Sequence, residues 1–198
     1  MTRNDVLIRP ARKEDASTLA NLINIAGEGI PLWLWRQATA TDQEALALGA
    51  ERAARDSGGF SYSNAHVAEL RGEVVAMLLG YRLADSAKPE DFSSVPAVVR
   101  PLLELEMLAP GTWYLNAIAT LDRARGVGLG TGLLELSHKL ARQSGAATLS
   151  LIVASGNKGA LRLYEREGYR KIATRPIVGF SGFHHTGDWI LMTSPVKN

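Results

Sequence analysis

One run of eight residues constrains this chain more than any other feature. Arg125-Gly126-Val127-Gly128-Leu129-Gly130-Thr131-Gly132 lies between a strand-like apolar stretch, Trp113 to Thr120, and a helix-like one, Leu129 to Gln143. Glycine at 126, 128 and 130 strips the Cβ atoms from this turn, so several backbone N–H groups can converge on one point. The helix that starts there adds unpaired amides and the positive end of its dipole. A strand–loop–helix of this composition predicts a seat for phosphate or pyrophosphate. Taken alone it is equally compatible with a tight turn and no ligand.

The spacing narrows the choice of phosphate. The dinucleotide fingerprint G-x-G-x-x-G fails, because Thr131 follows Gly126 and Gly128, and Leu133 follows Gly128 and Gly130. No acidic residue closes the following strand, where Leu149-Ser150-Leu151-Ile152 stands. The nucleoside-triphosphate loop fails too, since Lys139 lies too far along the helix. The pattern that fits is R-x-x-G-x-G, at Arg125, Gly128 and Gly130. A second motif stands downstream, after the apolar stretch Ala147 to Val153: N-x-x-A-x-x-L-Y-x-x-x-G-F/Y, read at Asn157, Ala160, Leu163, Tyr164, Gly168 and Tyr169. Asn157 suits a helix N-cap, Ala160, Leu163 and Tyr164 share a helical face, and Gly168 suits a left-handed C-cap. In this order the two motifs resemble the GCN5-related N-acetyltransferase (GNAT) family.

Composition agrees with an enzyme of that size. The 198 residues allow one domain with a sizeable core. A formal net charge of +2 gives no broad electrostatic case for nucleic acid. The chain has no cysteine, which excludes disulfides, thiolate metal sites and a cysteine acyl-enzyme. No apolar run has signal-like or membrane-spanning length, so a cytoplasmic protein without a membrane partner is expected. His184-His185 are poorly spaced for one metal, and no metal site is expected.

A coarse pass places a strand at Val6 to Ala11 and a helix from Asp15 to Ala26 capped by Asp15. After the breakers Gly27 to Pro31, Trp33 and Trp35 are expected to share one side of an extended segment. Thr41 to Asp56 reads as a helix with a Thr41/Glu44 capping box. Two strands, Asn64 to Leu70 and Glu73 to Tyr81, read as a hairpin turning at Arg71-Gly72. The stretch 83–111 carries Pro89, Pro96, Pro101 and Pro110, with acids at Asp85, Glu90, Asp91, Glu104 and Glu106. It has room for a helix around Val98 to Met107 and is longer than the family usually has there. A last strand is expected from Asp188 to Thr193.

The resemblance implies a single acetyltransferase domain over 1–198: an α/β fold with a mixed, centrally splayed β-sheet and helices on both faces. It implies acetyl-CoA as co-substrate. Pantetheine would pair with the backbone of Ala117, Ile118 and Ala119. Pyrophosphate would sit on Arg125, Gly126, Val127, Gly128, Leu129, Gly130 and Thr131, and Asn157 would contact the pantetheine region. Tyr164 matches the position of the general acid; a purely packing role for this aromatic is the bland alternative. A Glu that some members carry early in the strand before the loop is replaced by Thr112 or Trp113. Glu104, Glu106 and Glu28 are the substitutes for a base, alongside deprotonation by water. The acceptor would be a small-molecule amine or a protein amine, with the 83–111 insert as its cover, and a homodimer is common among similar proteins. An acyl-CoA-binding sensor that lost its base is the rival reading on the same fold.

Overall fold

A computed structural model describes residues 6–86, 92–183 and 186–197. Within them run β1 (Val6–Pro10), α1 (Ala16–Ala26), α2 (Ile30–Arg36), α3 (Asp42–Ala53), β2 (Ala65–Leu70), β3 (Glu73–Arg82) and α4 (Arg100–Glu106). There follow β4 (Trp113–Thr120), α5 (Leu129–Gln143), β5 (Thr148–Ala154), α6 (Lys158–Arg166), β6 (Arg170–Pro176) and β7 (Asp188–Pro195). The strands form an open mixed sheet in the order β1-β2-β3-β4-β5-β7-β6. The expectations for Pro89, Glu90, Asp91 and His184-His185 lie outside the described residues.

These residues gather into two compact units, each built from separated stretches of chain. The first takes the chain up to Tyr81 together with Ala117–Leu136; the second takes Arg82–Asn116 and everything from Ser137 on.

In the first unit, β1, β2 and β3 pair antiparallel, with Val6 opposite Leu70 and Ala65 opposite Leu79. The β2–β3 turn places Arg71 at φ 53° and Gly72 at φ 83°, the two left-handed residues that a tight hairpin of this twist demands. The core joins Leu19, Leu22 and Ile23 of α1, Trp35 of α2 and Ala45 of α3 to Val67, Met77 and Leu79 of the sheet and to Ala117 and Ala119 of β4. Leu19, Leu22, Val67 and Met77 are wholly shielded from water, and burying side chains of this size contributes about 1.5–3 kcal/mol each.

Two expectations change here. Asp15 stands at the N-cap of α1 but makes no cap hydrogen bond to that helix. Its carboxylate accepts from the Arg12 N–H at 2.7 Å and from the Arg9 guanidinium at 2.7 and 3.0 Å. That pairing with Arg9 holds the Asp15 pKa below its ordinary value. Trp33 and Trp35 lie on a helix and not on an extended segment, because Pro31 occupies its first turn, where a missing N–H is harmless. The helical turn separates the two rings: Trp35 is buried and Trp33 half-exposed. The capping box of α3 is present, with Thr41 Oγ1 accepting from Glu44 N and Glu44 Oε2 accepting from Thr41 N.

In the second unit, β4 and β5 run parallel, but their registered pairs cover only Trp113↔Leu149 to Leu115↔Leu151. β5 continues to Ala154, paired on its other side with β7 as far as Ala154↔Trp189. This short ladder is the divergence expected at the middle of the sheet. The insert contributes α4, which packs on β5, β6 and β7 and buries Leu105. It is tied to the start of β4 by a buried hydroxyl pair. Thr112 Oγ1 donates to the Ala109 carbonyl at 2.8 Å and lies 2.7 Å from Ser150 Oγ.

Candidate active site

The glycine run sits in the first unit, where β4 passes through a 3₁₀ turn, Asp122–Ala124, into α5. Gly126 and Gly128 hold φ of 80° and 83°, a conformation that residues with a Cβ rarely adopt. A Cβ built at either position would meet nothing within 4 Å. Packing within the protein therefore does not explain these glycines. Gly130 and Gly132 stand in the first turn of α5, where each costs about 1 kcal/mol relative to Ala. That turn carries no acidic residue. An open backbone cradle at a helix N-terminus fits a pyrophosphate.

Arg125 is already engaged. Its guanidinium pairs with Asp122 at 2.9 Å, and its Nε donates to the Thr120 carbonyl at 3.3 Å. The side chain is well exposed, and Asp122 went unnoticed in the sequence because three residues of spacing in a loop carry no periodic signal. Leu129 is buried and anchors the first turn of α5. Along β4, Ala117 and Ala119 turn their methyls into the core while Ile118 is half-exposed. Strand alternation thus puts the three expected pantetheine positions at a wall with small side chains on its packed face.

In the second unit, Asn157 is the N-cap of α6, its Oδ1 accepting from Ala160 N at 3.1 Å. Tyr164 is buried, its ring 5.7 Å from that of Tyr169 and tilted by 57°. It is therefore a packed aromatic, and packing does not forbid a second use of its hydroxyl. Burial pushes the Tyr169 phenol well above the ordinary range, with Ser137 beside it but outside good hydrogen-bond geometry. Glu104 is committed to Arg175 on β6, Oε2 to Nε 2.6 Å. Glu106, the last residue of α4, is half-buried. Among the described residues, no group of three or more His, Asp or Glu is placed to hold a metal. None of their helices is long and apolar enough to cross a membrane.

Comparison with known proteins bears on the fold and the family. The family model of the acetyltransferase (GNAT) family matches residues 29–169. A solved acetyltransferase is 28% identical and superposes with a TM-score of 0.67, covering 96% of this chain and all of its own. The ribosomal-protein-alanine N-acetyltransferase of Brucella melitensis is 24% identical, with a TM-score of 0.60 over 96% of this chain and 99% of its own. YncA, a putative acetyltransferase of Salmonella typhimurium solved with acetyl-CoA, is 20% identical, with a TM-score of 0.58 over 98% and 95%. No curated protein matches the chain in sequence. The chain belongs to the GNAT family of acetyltransferases. It is an acetyltransferase that uses acetyl-CoA.

Proposed function

We propose that this acetyltransferase moves the acetyl group directly to a primary amine, with no acyl-enzyme on the way. The observation that carries the reading is the cradle at Gly126 and Gly128: left-handed, open, and followed by a helix start without an acid. Acetyl-CoA supplies an activated acetyl group whose thioester carbon an amine can attack. The backbone amides of Gly126 to Thr131 hold its pyrophosphate, and the polar groups of Ala117, Ile118 and Ala119 hold its amide arm. An N–H of that strand near Ile118 polarises the carbonyl. Asn157 steadies the pantetheine region while capping α6, and the Tyr164 hydroxyl gives its proton to the departing thiolate. The absence of cysteine supports direct transfer, since the commonest acyl-carrying nucleophile is missing. The acceptor class is a cationic amine, on a small molecule or at a protein lysine or N-terminus. The protein acts without a membrane or nucleic-acid partner, and as a homodimer if it follows similar proteins.

The same lack of cysteine makes the test clean, because any free thiol released during turnover is coenzyme A. Purified protein with acetyl-CoA should release thiol in the presence of spermidine, lysine-containing peptides or peptides beginning with alanine. Tyr164→Phe keeps the ring against Tyr169 and should lower kcat about 10²-fold while acetyl-CoA still raises the melting temperature. Thiol release that does not depend on any amine would sink the transferase-to-amine reading.

A further inference from the structure

Three helices of this protein close with the same pair of backbone hydrogen bonds, and they differ in one residue. At the end of α5, Ala146 N–H donates to Ala141 O and Gly145 N–H to Arg142 O, each at 3.0 Å. At the end of α6, Tyr169 N–H donates to Tyr164 O and Gly168 N–H to Glu165 O, again at 3.0 Å. At the end of α1, Gly29 N–H donates to Asn24 O at 3.0 Å and Glu28 N–H to Ile25 O at 3.2 Å. This closure forces its penultimate residue into the left-handed region, which is why glycine usually takes that place. Gly145 sits there at φ 75° and Gly168 at φ 93°, but in α1 the position belongs to Glu28 at φ 52°. Glycine stands on both sides of it, at 27 with φ −84° and at 29 with φ 90°, but not at 28 itself. A side chain kept where the backbone disfavours one points to a use for that side chain.

The surroundings narrow the use. Arg71, the other non-glycine residue with positive φ among those described, is exposed at a hairpin tip. Glu28 is half-buried, and one of its carboxylate oxygens is shielded from solvent. Its turn is held firmly: Asn24 Oδ1 accepts from Leu32 N at 3.0 Å, and Ile30 N donates to Gly27 O at 3.0 Å. The flanking Ala26 and Leu32 pack on the cluster that contains Ala117 and Ala119. The scaffold that fixes Glu28 is thus the one that backs the strand assigned above to the acyl arm, and all of it lies within the first unit.

We propose that Glu28 receives the ammonium of the acceptor and takes up its proton. This rests on the reading of the protein as an amine acetyltransferase. In the step, one ammonium N–H bond breaks and an O–H bond forms on the Glu28 carboxylate. The amine keeps its lone pair for attack, and the proton passes on to water. An alkylamine with an ordinary pKa near 10.4 is almost wholly protonated at neutral pH, while roughly a quarter of it is already neutral at pH 10, so such an acceptor matters far more at pH 7 than at pH 10.

The test compares Glu28→Gln and Glu28→Gly with the wild type, using acetyl-CoA with spermidine and with an alanine-initiated peptide as probes. Glu28→Gln should keep the stabilisation by acetyl-CoA and lose about 10²-fold in turnover at pH 7, a deficit that narrows steadily toward pH 10. Glu28→Gly should show the same loss while melting about 2 °C higher, as the left-handed strain is relieved. A Gln variant within twofold of the wild type at pH 7, or one with the same deficit at pH 7 and pH 10, overturns the proposal and leaves the transferase reading standing. A wild type that acetyl-CoA stabilises but that acetylates neither probe removes the amine reading, and this proposal with it.

Discussion

The glycines at 126 and 128 and those at 27 and 49 do opposite work. A Cβ at Gly49 of α3 would lie 2.5 Å from the Trp35 ring, and one at Gly27 would lie 2.6 Å from Pro31 Cδ. Those two glycines exist because another part of the chain fills the space a side chain would need. At Gly126 and Gly128 the space is open and the backbone is left-handed. The first pair is explained entirely by the folded protein. The second pair answers to left-handed backbone, as Gly72 and Gly145 do, and the space it leaves open is the seat proposed for the pyrophosphate. Composition cannot tell a glycine demanded by close packing from one demanded by left-handed backbone; the neighbours of the missing Cβ and the φ angle can.

The sharpest way to break that contrast is Gly128→Glu, which adds strain and a negative charge to the cradle. Acetyl-CoA at a hundred times its Kd stabilises the wild type by about 2.7 kcal/mol, and this shift should vanish in the variant, with amine turnover falling at least about 10²-fold. The unliganded variant should still melt cooperatively within a few degrees of the wild type. A variant that keeps its acetyl-CoA shift would show that the loop is only a turn. Gly49→Ala should do the reverse. Helix propensity favours Ala by about 1 kcal/mol, but displacing a buried Trp35 costs about 1–3 kcal/mol. A fall of about 2–4 °C in melting temperature is expected, with the acetyl-CoA shift undiminished. A rise in Tm would mean that Trp35 moves freely.

Thr112 sharpens the same distinction at the position where the resemblance implied a base. Its hydroxyl is spent on the Ala109 carbonyl and on Ser150, whose own side chain has no exposure at all. Thr112→Val leaves two buried oxygens short of a partner, at about 1–3 kcal/mol. Urea unfolding should report that loss, while the pH dependence of turnover keeps its shape. A changed pH profile would return Thr112 to the chemistry.

The glycine loop and the helix that follows Asn157 were legible in the sequence because they are written in backbone demands. Glycine at 126, 128 and 168 and an N-cap at Asn157 are local requirements, and local requirements survive in a one-dimensional reading. The helix Leu129 to Gln143 and the strand Trp113 to Thr120 were readable for a similar reason, each bounded by its own breakers. The insert and the strands around it depend on contacts distant in sequence. Nothing in the sequence couples Glu104 to Arg175, 71 residues away, or Thr112 to Ser150. Asp15 misled because a cap is inferred from spacing, whereas its carboxylate answers to Arg9. Trp33 and Trp35 misled because two-residue spacing reads as a strand until Pro31 is recognised as a helix start. Glu28 was visible as an acid in a breaker cluster, but its left-handed backbone was not.

The smallest effect expected lies further along α5, away from the ligand loop. His138 is buried there, and its Nδ1 accepts the Lys197 N–H at 3.1 Å, which places the imidazole proton on the other nitrogen. Burial, then the charges of Lys197 and Arg142, hold its pKa below the ordinary 6.5, against a weaker upward pull from Glu167. The surrounding charges are themselves linked, since Lys197 Nζ donates to Glu167 Oε2 at 3.3 Å and the Arg142 guanidinium donates to the Lys197 carbonyl. Protonating Nδ1 would set one N–H against another and undo the hold on Lys197. With a lowered folded-state pKa, the unfolded chain binds the proton more readily. The contribution of His138 is therefore complete above about pH 6.5 and declines as pH falls toward its folded-state value. His138→Gln offers an amide oxygen to the same N–H and does not titrate. Urea midpoints for the two proteins should separate progressively between pH 7.5 and pH 5, with the wild type losing more. Parallel curves would mean that Lys197 is held without His138, and that α5 owes its fixed position to apolar packing at Leu133, Leu134 and Ala141 alone.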